Sequence, residues 1–579
     1  MSSDSRDPAP TATLSDLLFH VRDASAGRSD LLTANFGARR ESWSSADFLR
    51  GVHSLAVALE DRGLRAGDRV VIYSENRPEW HLVDFACHLL GAPTVPIFAD
   101  ATPKQVAYIL RNSGARRIFY SDEAKKHLLA TVVPGLNQTP ELVAFDADAA
   151  THDGASLTRL MGTGAERLGD VPLERFRDRV DAADLAGIFY TSGTSGDPKG
   201  VMLSHGNLMS NVSSCREIFE IGSGDRAISA VPLAHIFQRT VDYLCFLCGV
   251  SIHYEPRTEH LADTYKRERP TFLVGTPELY RRHRDAILEG LRSLPEWKRR
   301  LFEGAMETRL SILAEDPDAR RGSIKSFVAL RRLGKARNAF GGRARFAISG
   351  GAPLATDVAR FFEAIGIPLY QGYGLTETSP VLATNSPHHR RTGSVGKPIS
   401  DVEMRIADDG EILVRGPGLM QGYWQSPEAT VASVDESGWF RTGDLGWMDK
   451  SGYIFVTDRK QDLLTLADGR TLSPRPIENL LMGSGIEHAV IIGESRPFPV
   501  VLLTLHPEAP EGPDTWIEDR IRMANLQLPE ELRIRKWQVL DRRLSVADGE
   551  LTATMKPRRD QIRRRFAEQI AALYRDEPA

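Results

Sequence analysis

The stretch YTSGTSGDPKGVMLSH, Tyr190 to His205, sets Thr191, Ser192, Thr194 and Ser195 among three glycines, with Lys199 close behind. Each of these hydroxyls can donate a hydrogen bond to a phosphate oxygen. Gly193, Gly196 and Gly200 let the backbone come close to a ligand. Lys199 offsets negative charge. The chemistry that suits this set is the binding of a polyphosphate. It is not the Walker arrangement, in which Gly-Lys-Ser/Thr opens a helix; here Lys199 runs into Gly200 and an apolar, strand-like stretch. A bare Ser/Gly run is also what a flexible surface loop looks like, but the ordered T-S-G-T-S-G-x-P-K-G argues against that.

Further chemistry-bearing stretches follow in order. VPLAHIFQR carries His235, and SGGAPL carries Gly350 and Gly351. YQGYGLTETSP carries Gln371, Gly372, Tyr373, Gly374, Thr376 and Glu377. An aromatic plane between two glycines suits stacking on a base, with a packed core tyrosine as the plainer reading. WFRTGDLG carries Asp444, whose oxygens only accept hydrogen bonds; a turn residue would look the same. VTDRKQDLL carries Arg459, and GELTATMKPRR carries Lys556, which on its own reads as an exposed lysine beside Arg558 and Arg559.

This ordered series resembles the adenylate-forming enzymes: acyl-CoA synthetases, luciferases and the adenylation domains of peptide synthetases. The resemblance runs from about Leu14 to Tyr574. PLAHIFQR, TDRKQDL, ELTATMK, the helical insertion before GGRARFAISGGAPL and the closing FAEQIAALY are similar to the long-chain fatty acyl-CoA synthetase branch. The resemblance implies a two-step ligase using ATP, magnesium and coenzyme A, in which a fatty acid becomes an acyl-adenylate and then a thioester.

In that scheme the loop from Thr191 to Gly196 and Lys199 hold the phosphates. Glu377 and Thr191 ligate magnesium, and Thr376 binds the α-phosphate. Gly350, Gly351, Gln371, Gly372, Tyr373 and Gly374 border adenine and substrate. Asp444 binds the ribose, Arg459 marks the domain junction, His235 stands at the acid pocket, and Lys556 bridges the acid and the α-phosphate. Three positions depart from the pattern: Gln461 at the hinge, Thr465 near the nucleotide, and Arg470 in the loop LADGRTLSP. The second half-step leans on them. An acyl-AMP or aryl-acid ligase with another acceptor therefore remains as an alternative, as does a catalytically dead acyl or nucleotide sensor.

These residues need a scaffold, and the first half of the chain alternates helix and strand patterns. FLRGVHSLAVALEDRG, WHLVDFACHLLG and QVAYILRNSG have helical spacing; DRVVIYSEN, APTVPIF and ARRIFYSD read as short apolar strands. Such alternation predicts a parallel sheet covered on both faces, with ligands at the carboxyl ends of its strands. LAGIFY is a buried strand feeding the hydroxyl-rich loop. From Asp401 the pattern turns antiparallel, and VEMRIADDGEILVRG reads as two strands about a turn.

The expected fold class is α/β: a large N-terminal domain of parallel and mixed sheets covered by helices, a β-rich subdomain, and a small mobile C-terminal α+β domain. The boundaries expected are a disordered tail over 1–13, the adenylation domain over 14–458, a hinge at 459–462 and a lid domain over 463–579. Residues 281–345 form a basic helical insertion, with 17 Arg and Lys against 8 Asp and Glu. A solvated surface is the plainer reading, and a face that approaches anionic lipid the sharper one. The final segment Pro557 to Tyr574 reads as one helix with Ile562, Phe566, Ile570 and Leu573 on one face.

The bulk numbers fit this scheme. At 579 residues more than one domain is expected. The net charge of -4 carries no nucleic-acid footprint. Four cysteines in this length argue against a disulfide framework, and Cys245 and Cys248 sit in an apolar run that reads as a buried helix. No run of apolar residues is long enough to span a membrane. A cytoplasmic protein is expected, with peripheral membrane contact left open; oligomeric state and acyl chain length are not encoded in any motif.

Overall fold

The computed structural model describes residues 11–36, 39–146, 155–191, 197–315, 324–482, 485–507, 509–510, 512–545, 548–551 and 557–575. The chain divides into two compact units. The first comprises Met1–Thr191, Asp197–Glu403 and Arg415–Gly438; the second comprises Ser192–Gly196, Met404–Val414 and Trp439–Ala579.

The first unit contains the expected parallel sheet. Its eight strands run in the order Gly422–Tyr423, Lys199–Ser204, Leu185–Thr191, Thr94–Ile97, Val70–Tyr73, Arg117–Tyr120, Glu141–Ala144, Ala155–Ser156. The strands from Leu185–Thr191 to Ala155–Ser156 are parallel to their neighbours, and the two on the other edge join antiparallel. Both faces are covered because side chains alternate along a strand. Val70 and Ile72 enter one apolar cluster with the helices Ser45–Asp61 and Pro78–Leu89. Val71 and Tyr73 enter another with Pro103–Ser113 and Glu123–Val132.

Two further sheets complete this unit. In one, Arg226–Ser229, Ser251–Tyr254 and Leu32–Phe36 are parallel, with Arg39–Trp43 antiparallel at the edge. In the other, Leu273–Gly275, Ala347–Ser349 and Leu369–Gly374 are parallel and continue into antiparallel Val381–Thr384 and Lys397–Pro398. The basic insertion is helical: Pro277–Arg292, Glu296–Glu315, Ile324–Arg332 and Gly334–Asn338. Cys245 lies inside the buried helix Ile236–Leu247 and Cys248 ends it, so the C-x-x-C belongs to packing.

The second unit is built on antiparallel pairing. Phe440–Met448 pairs with Glu411–Arg415 on one side and Ile454–Arg459 on the other. Beyond it, Ile486–Ile492 pairs antiparallel with Val500–Leu505, which pairs parallel with Lys536–Val539. Ile491, Val501 and Leu503 pack with the helices Pro474–Leu481 and Pro513–Asn525. Val490, Val500 and Leu502 face Ile562, Phe566 and Ile570. The predicted final helix is two, Arg559–Arg565 and Ala567–Leu573, interrupted at Phe566. The break is local: the Ile570 N–H still donates to the Phe566 carbonyl at 2.9 Å, and the same apolar face is buried.

Buried histidines make the first unit acid-sensitive. His253 is fully buried, hydrogen-bonded to Thr33 Oγ1 at 2.9 Å and Asn35 at 3.2 Å. Burial pushes its pKa down to about 4 despite the attraction of Glu268; burial does the same to His283. An unfolded chain protonates these rings near 6.5. Between those values the unfolded state binds more protons, so this stability is complete above about pH 6.5 and is lost as pH falls toward 4. His253 alone accounts for about 3 kcal/mol of that loss. Unfolding midpoints measured across this window should fall with acid in the native chain and fall less steeply in His253→Gln.

Candidate functional site

Each part of the site lies where the sheet geometry ends a strand. Leu185–Thr191 and Lys199–Ser204 pair so that Thr191 stands opposite Lys199. Ser192, Gly193, Thr194, Ser195 and Gly196 lie outside the described residues. The short strand Gly422–Tyr423 pairs with Met202 and Val201 on the outer side, which brings Tyr423 beside Lys199. The Lys199 ammonium sits 5.0 Å from the centre of the Tyr423 ring, and the Tyr423 hydroxyl donates to Glu377 Oε1 at 2.9 Å. Thr191, Lys199, Tyr423 and Glu377 are thus gathered by three strands and one turn. Tyr423 was not among the residues singled out from the sequence. Its only signal is a Gly-Tyr pair, and nothing in the spacing places it against Lys199.

Glu377 is held by a tight turn. Thr376–Thr378 forms one turn of 3₁₀ helix. Thr378 Oγ1 accepts from the Leu375 N–H at 3.0 Å and donates to the Pro380 carbonyl at 2.7 Å. The Met420 N–H donates to the Glu377 carbonyl at 2.9 Å. Thr376 and Glu377 remain half-buried. Just upstream, Gly374 lies so close to the Pro380 carbonyl that a Cβ there would sit 1.6 Å from its oxygen. That position must be glycine; Gly372 is under no such constraint, so the pair bracketing Tyr373 serves two purposes. Tyr373 is half-buried opposite Ala383.

The carboxyl ends of the parallel strands meet at this place, as the topology predicts. Gln371 pairs with Ser349, and Ser349 with Gly275. Gly350 follows at once, packed against the Phe237 ring. Gly351 adopts φ +83 with open space around it, a conformation glycine takes without strain.

His235 is the N-cap of helix Ile236–Leu247, and its Nδ1 accepts from the Phe237 N–H at 3.1 Å. One turn on, Arg239 is fully buried and forms an ion pair with fully buried Asp84. Arg239 Nε donates to Tyr243 Oη at 2.6 Å, and that hydroxyl donates to Asp84 Oδ2 at 2.6 Å. Arg239 also donates to Thr94 Oγ1 at 2.6 Å, and His88 Nε2 lies 3.1 Å from Asp84 Oδ1. Burial alone would raise the Asp84 carboxyl; the Arg239 guanidinium and His88 instead hold it well below the usual carboxylate range. This network fixes the helix that carries His235, and its one mark in the motif series is the last letter of VPLAHIFQR.

In the second unit, Asp444 is buried within the strand Phe440–Met448 rather than at a turn. It stands opposite Arg459, whose Nε lies 3.0 Å from Asp444 Oδ1. Asp458 is buried and accepts from Ser473 Oγ at 2.7 Å and the Arg475 N–H at 3.0 Å. It thereby ties the end of its strand to the start of helix Pro474–Leu481. Lys460–Asp462 is a 3₁₀ turn, with Gln461 exposed. The Thr465 N–H donates to Glu494 at 2.8 Å, and Arg470 Nε to Asp468 at 2.8 Å.

Lys556 lies outside the described residues. Its flanks are anchored: Leu551 bridges Pro557, the Arg558 N–H donates to the Glu550 carbonyl at 2.7 Å, and Arg559 donates to Glu478 and to the Ile491 carbonyl, both at 2.6 Å.

Residues 22–424 match the AMP-binding enzyme family and residues 461–578 match the AMP-binding enzyme C-terminal domain. The chain belongs to the AMP-binding enzyme family. It is 32% identical over 563 residues to a long-chain-fatty-acid–CoA ligase of Mycobacterium bovis, covering 92% of each chain. It is 27% identical to a chloroplastic long-chain-fatty-acid–[acyl-carrier-protein] ligase of Arabidopsis thaliana, covering 91% of this chain and 81% of that one. The fold is that of ATP-bound MatB from Rhodopseudomonas palustris, with TM-score 0.71 and 22% identity over 96% of this chain and 99% of that one.

The buried pair gives a direct test. Removing one partner leaves the other charge unpaired in the interior, so Arg239→Met should lose about 3–5 kcal/mol of stability. Asp84→Asn combined with Arg239→Met should recover part of that loss. Chemical denaturation of the single and double variants measures both.

Proposed function

We propose that the chain is an ATP-dependent long-chain fatty acid:CoA ligase that works through an acyl-adenylate. The observation that carries the reading is the Lys199–Tyr423–Glu377 contact beside Thr191. It sets a cation and a carboxylate close together without pairing them directly, the cation opposite Thr191 in the ladder. The long-chain acid is supported by the name of the Mycobacterium bovis relative.

In the first half-step an acid carboxylate attacks the α-phosphorus of ATP and pyrophosphate leaves. Two anions must meet, so positioning and positive charge matter more than a general base. Lys199 and the loop hydroxyls bind the phosphates, and Thr376 the α-phosphate. Tyr373 stacks on adenine, bordered by Gly350, Gly351, Gln371, Gly372 and Gly374. Asp444, oriented by Arg459, takes the ribose diol. Lys556 bridges the acid and the α-phosphate. His235, whose Nδ1 caps its helix, stands at the acid pocket.

Among the described residues no group of three or more His, Cys, Asp or Glu side chains gathers to hold a metal. Glu377 and Thr191 offer the hard oxygen donors that magnesium prefers and would hold it there. When bound, magnesium withdraws charge from the phosphates. In the second half-step the thiol of coenzyme A attacks the acyl carbon and AMP leaves, the second unit turning about 459–462 to withdraw Lys556.

The plant relative, named for an acyl-carrier-protein acceptor, together with Gln461 and Arg470, favours a second reading in which the acyl group passes to a carrier protein. All four cysteines are free thiols, which supports a reducing compartment such as the cytoplasm.

Pyrophosphate exchange with acids of graded chain length tests the reading. Exchange together with acyl-CoA product is expected. Exchange without it favours the carrier acceptor, and absence of exchange with every acid overturns the ligase. Lys556→Ala should lower exchange on the order of 10²–10³-fold while largely sparing thioester formation from supplied acyl-AMP; equal loss of both steps would refute that role. Tyr423→Phe keeps a ring over Lys199 but removes the hydrogen bond to Glu377. The magnesium concentration needed for half-maximal exchange should rise about tenfold, with little change at saturating magnesium.

A further inference from the structure

The large apolar side chains exposed in the first unit are unevenly distributed. Among its described residues all but Val431 and Val434 lie on the insertion: Leu288, Trp297, Leu301, Phe327 and Val328. Trp297 is 65% and Phe327 59% exposed. The insertion's cations are unevenly used as well. On Pro277–Arg292 they pair within the helix or with Asp357, as Arg281 and Arg282 do with Glu278 and Arg284 with Asp357. On Glu296–Glu315, Arg300 pairs with Glu296 and Arg299 with Glu303.

The third and fourth helices differ. From 324 to 338 the chain reads IKSFVALRRLGKARN, with five cations and no carboxylate. Ser326, Ala329, Leu333 and Ala336 are buried and form the inner face. Lys325, Phe327, Val328, Arg331, Arg332 and Lys335 are exposed on the outer one. None of these four cations forms an ion pair with a described residue. Arg331 follows Phe327, and Arg332 follows Val328, by one helical turn. Two apolar side chains ringed by cations that pair with no described residue are the pattern of a helix that lies in a lipid interface. The cleft of about 450 Å³ beside Arg337 is different: Arg337, Arg343 and Arg345 share it with Glu220 and Asp225, and Asp225 engages Arg345 at 2.8 Å.

We infer that the outer face of Ile324–Arg332 and Gly334–Asn338 docks on an anionic bilayer, with Phe327 and Val328 entering the headgroup region. Charge decides the occupant. A second copy would bring the same cations and be repelled, whereas a negatively charged leaflet attracts each of them. Only the purpose of the surface rests on the ligase reading: a long-chain acid resides in membranes, and a docked enzyme meets it there.

Flotation of the full chain with vesicles, without ATP or acid, tests the surface apart from the chemistry. Binding to phosphatidylglycerol-containing vesicles, weakened by salt and absent with phosphatidylcholine alone, is expected. The double variant R331E/R332E should lower partitioning at least about 25-fold, and Phe327→Ser should lower it further. Both should form thioester from a soluble medium-chain acid as the native chain does. No binding to anionic vesicles, equal binding to neutral ones, or unchanged binding of R331E/R332E overturns the inference. Loss of thioester formation in the native chain would instead count against the ligase reading.

Discussion

Lys199 and Glu377 are opposite charges separated by one phenol ring, and the roles proposed for them depend on that separation. A direct ion pair would satisfy both groups and leave neither for a ligand. With Tyr423 between them, the ammonium rests on a π face, which attracts it weakly, and the carboxylate accepts one neutral hydrogen bond. The cation stays available to phosphate oxygens and the carboxylate keeps lone pairs for a hard metal ion. The separation is imposed by backbone pairing. Tyr423 is held by the ladder to Met202 and Val201, Lys199 by the ladder to Thr191, and Glu377 by the turn that Thr378 closes.

Behind this polar edge lies a second constraint, the buried cluster of Arg239, Asp84, Tyr243, Thr94 and His88. Such clusters are poor sources of net stability because each charge has been removed from water. What this one supplies is register: Arg239 reaches a helix and a strand at once, through Asp84 and Thr94. Helix Ile236–Leu247 therefore has one permitted position. His235 at its cap and Phe237 against Gly350 inherit that position. The second unit repeats the device at smaller scale, with Asp458 joining strand to helix and Arg559 joining helix Arg559–Arg565 to Glu478.

The strands and helices of both units were legible because period-two and period-3.6 patterns report directly on which faces are buried. Val70 to Tyr73, read as a short strand, does divide its side chains between two cores. The motif residues were legible by resemblance. What could not be read was whatever depends on distant segments meeting. Tyr423 gains its place from a ladder to a strand more than two hundred residues earlier, and Arg559 from a helix that begins at Pro474. The TGD triplet was ambiguous for a local reason: its glycine sits at φ +69 inside a strand, so turn chemistry appears where the chain does not turn. The break at Phe566 leaves the apolar spacing intact, and a pattern that survives an interruption cannot reveal it.

Net charge was equally uninformative about the insertion. The whole chain carries -4, and residues 281–345 carry 17 cations against 8 acids, yet neither figure identifies a surface. On the first two helices Arg281, Arg282, Arg292, Arg299 and Arg300 each pair with an acid about one turn away. The segment 324–338 has no acid to do this. A solvated helix gains nothing from exposing Phe327 and Val328, which burial would favour by the hydrophobic effect. It also gains nothing from crowding Lys325, Arg331, Arg332 and Lys335 around them, where like charges repel. Each feature by itself is ordinary on a protein surface. Their coincidence on one face, backed by the buried Ala329, Leu333 and Ala336, is not, and the docking we infer rests on that coincidence: the partner that suits it is both apolar and negatively charged.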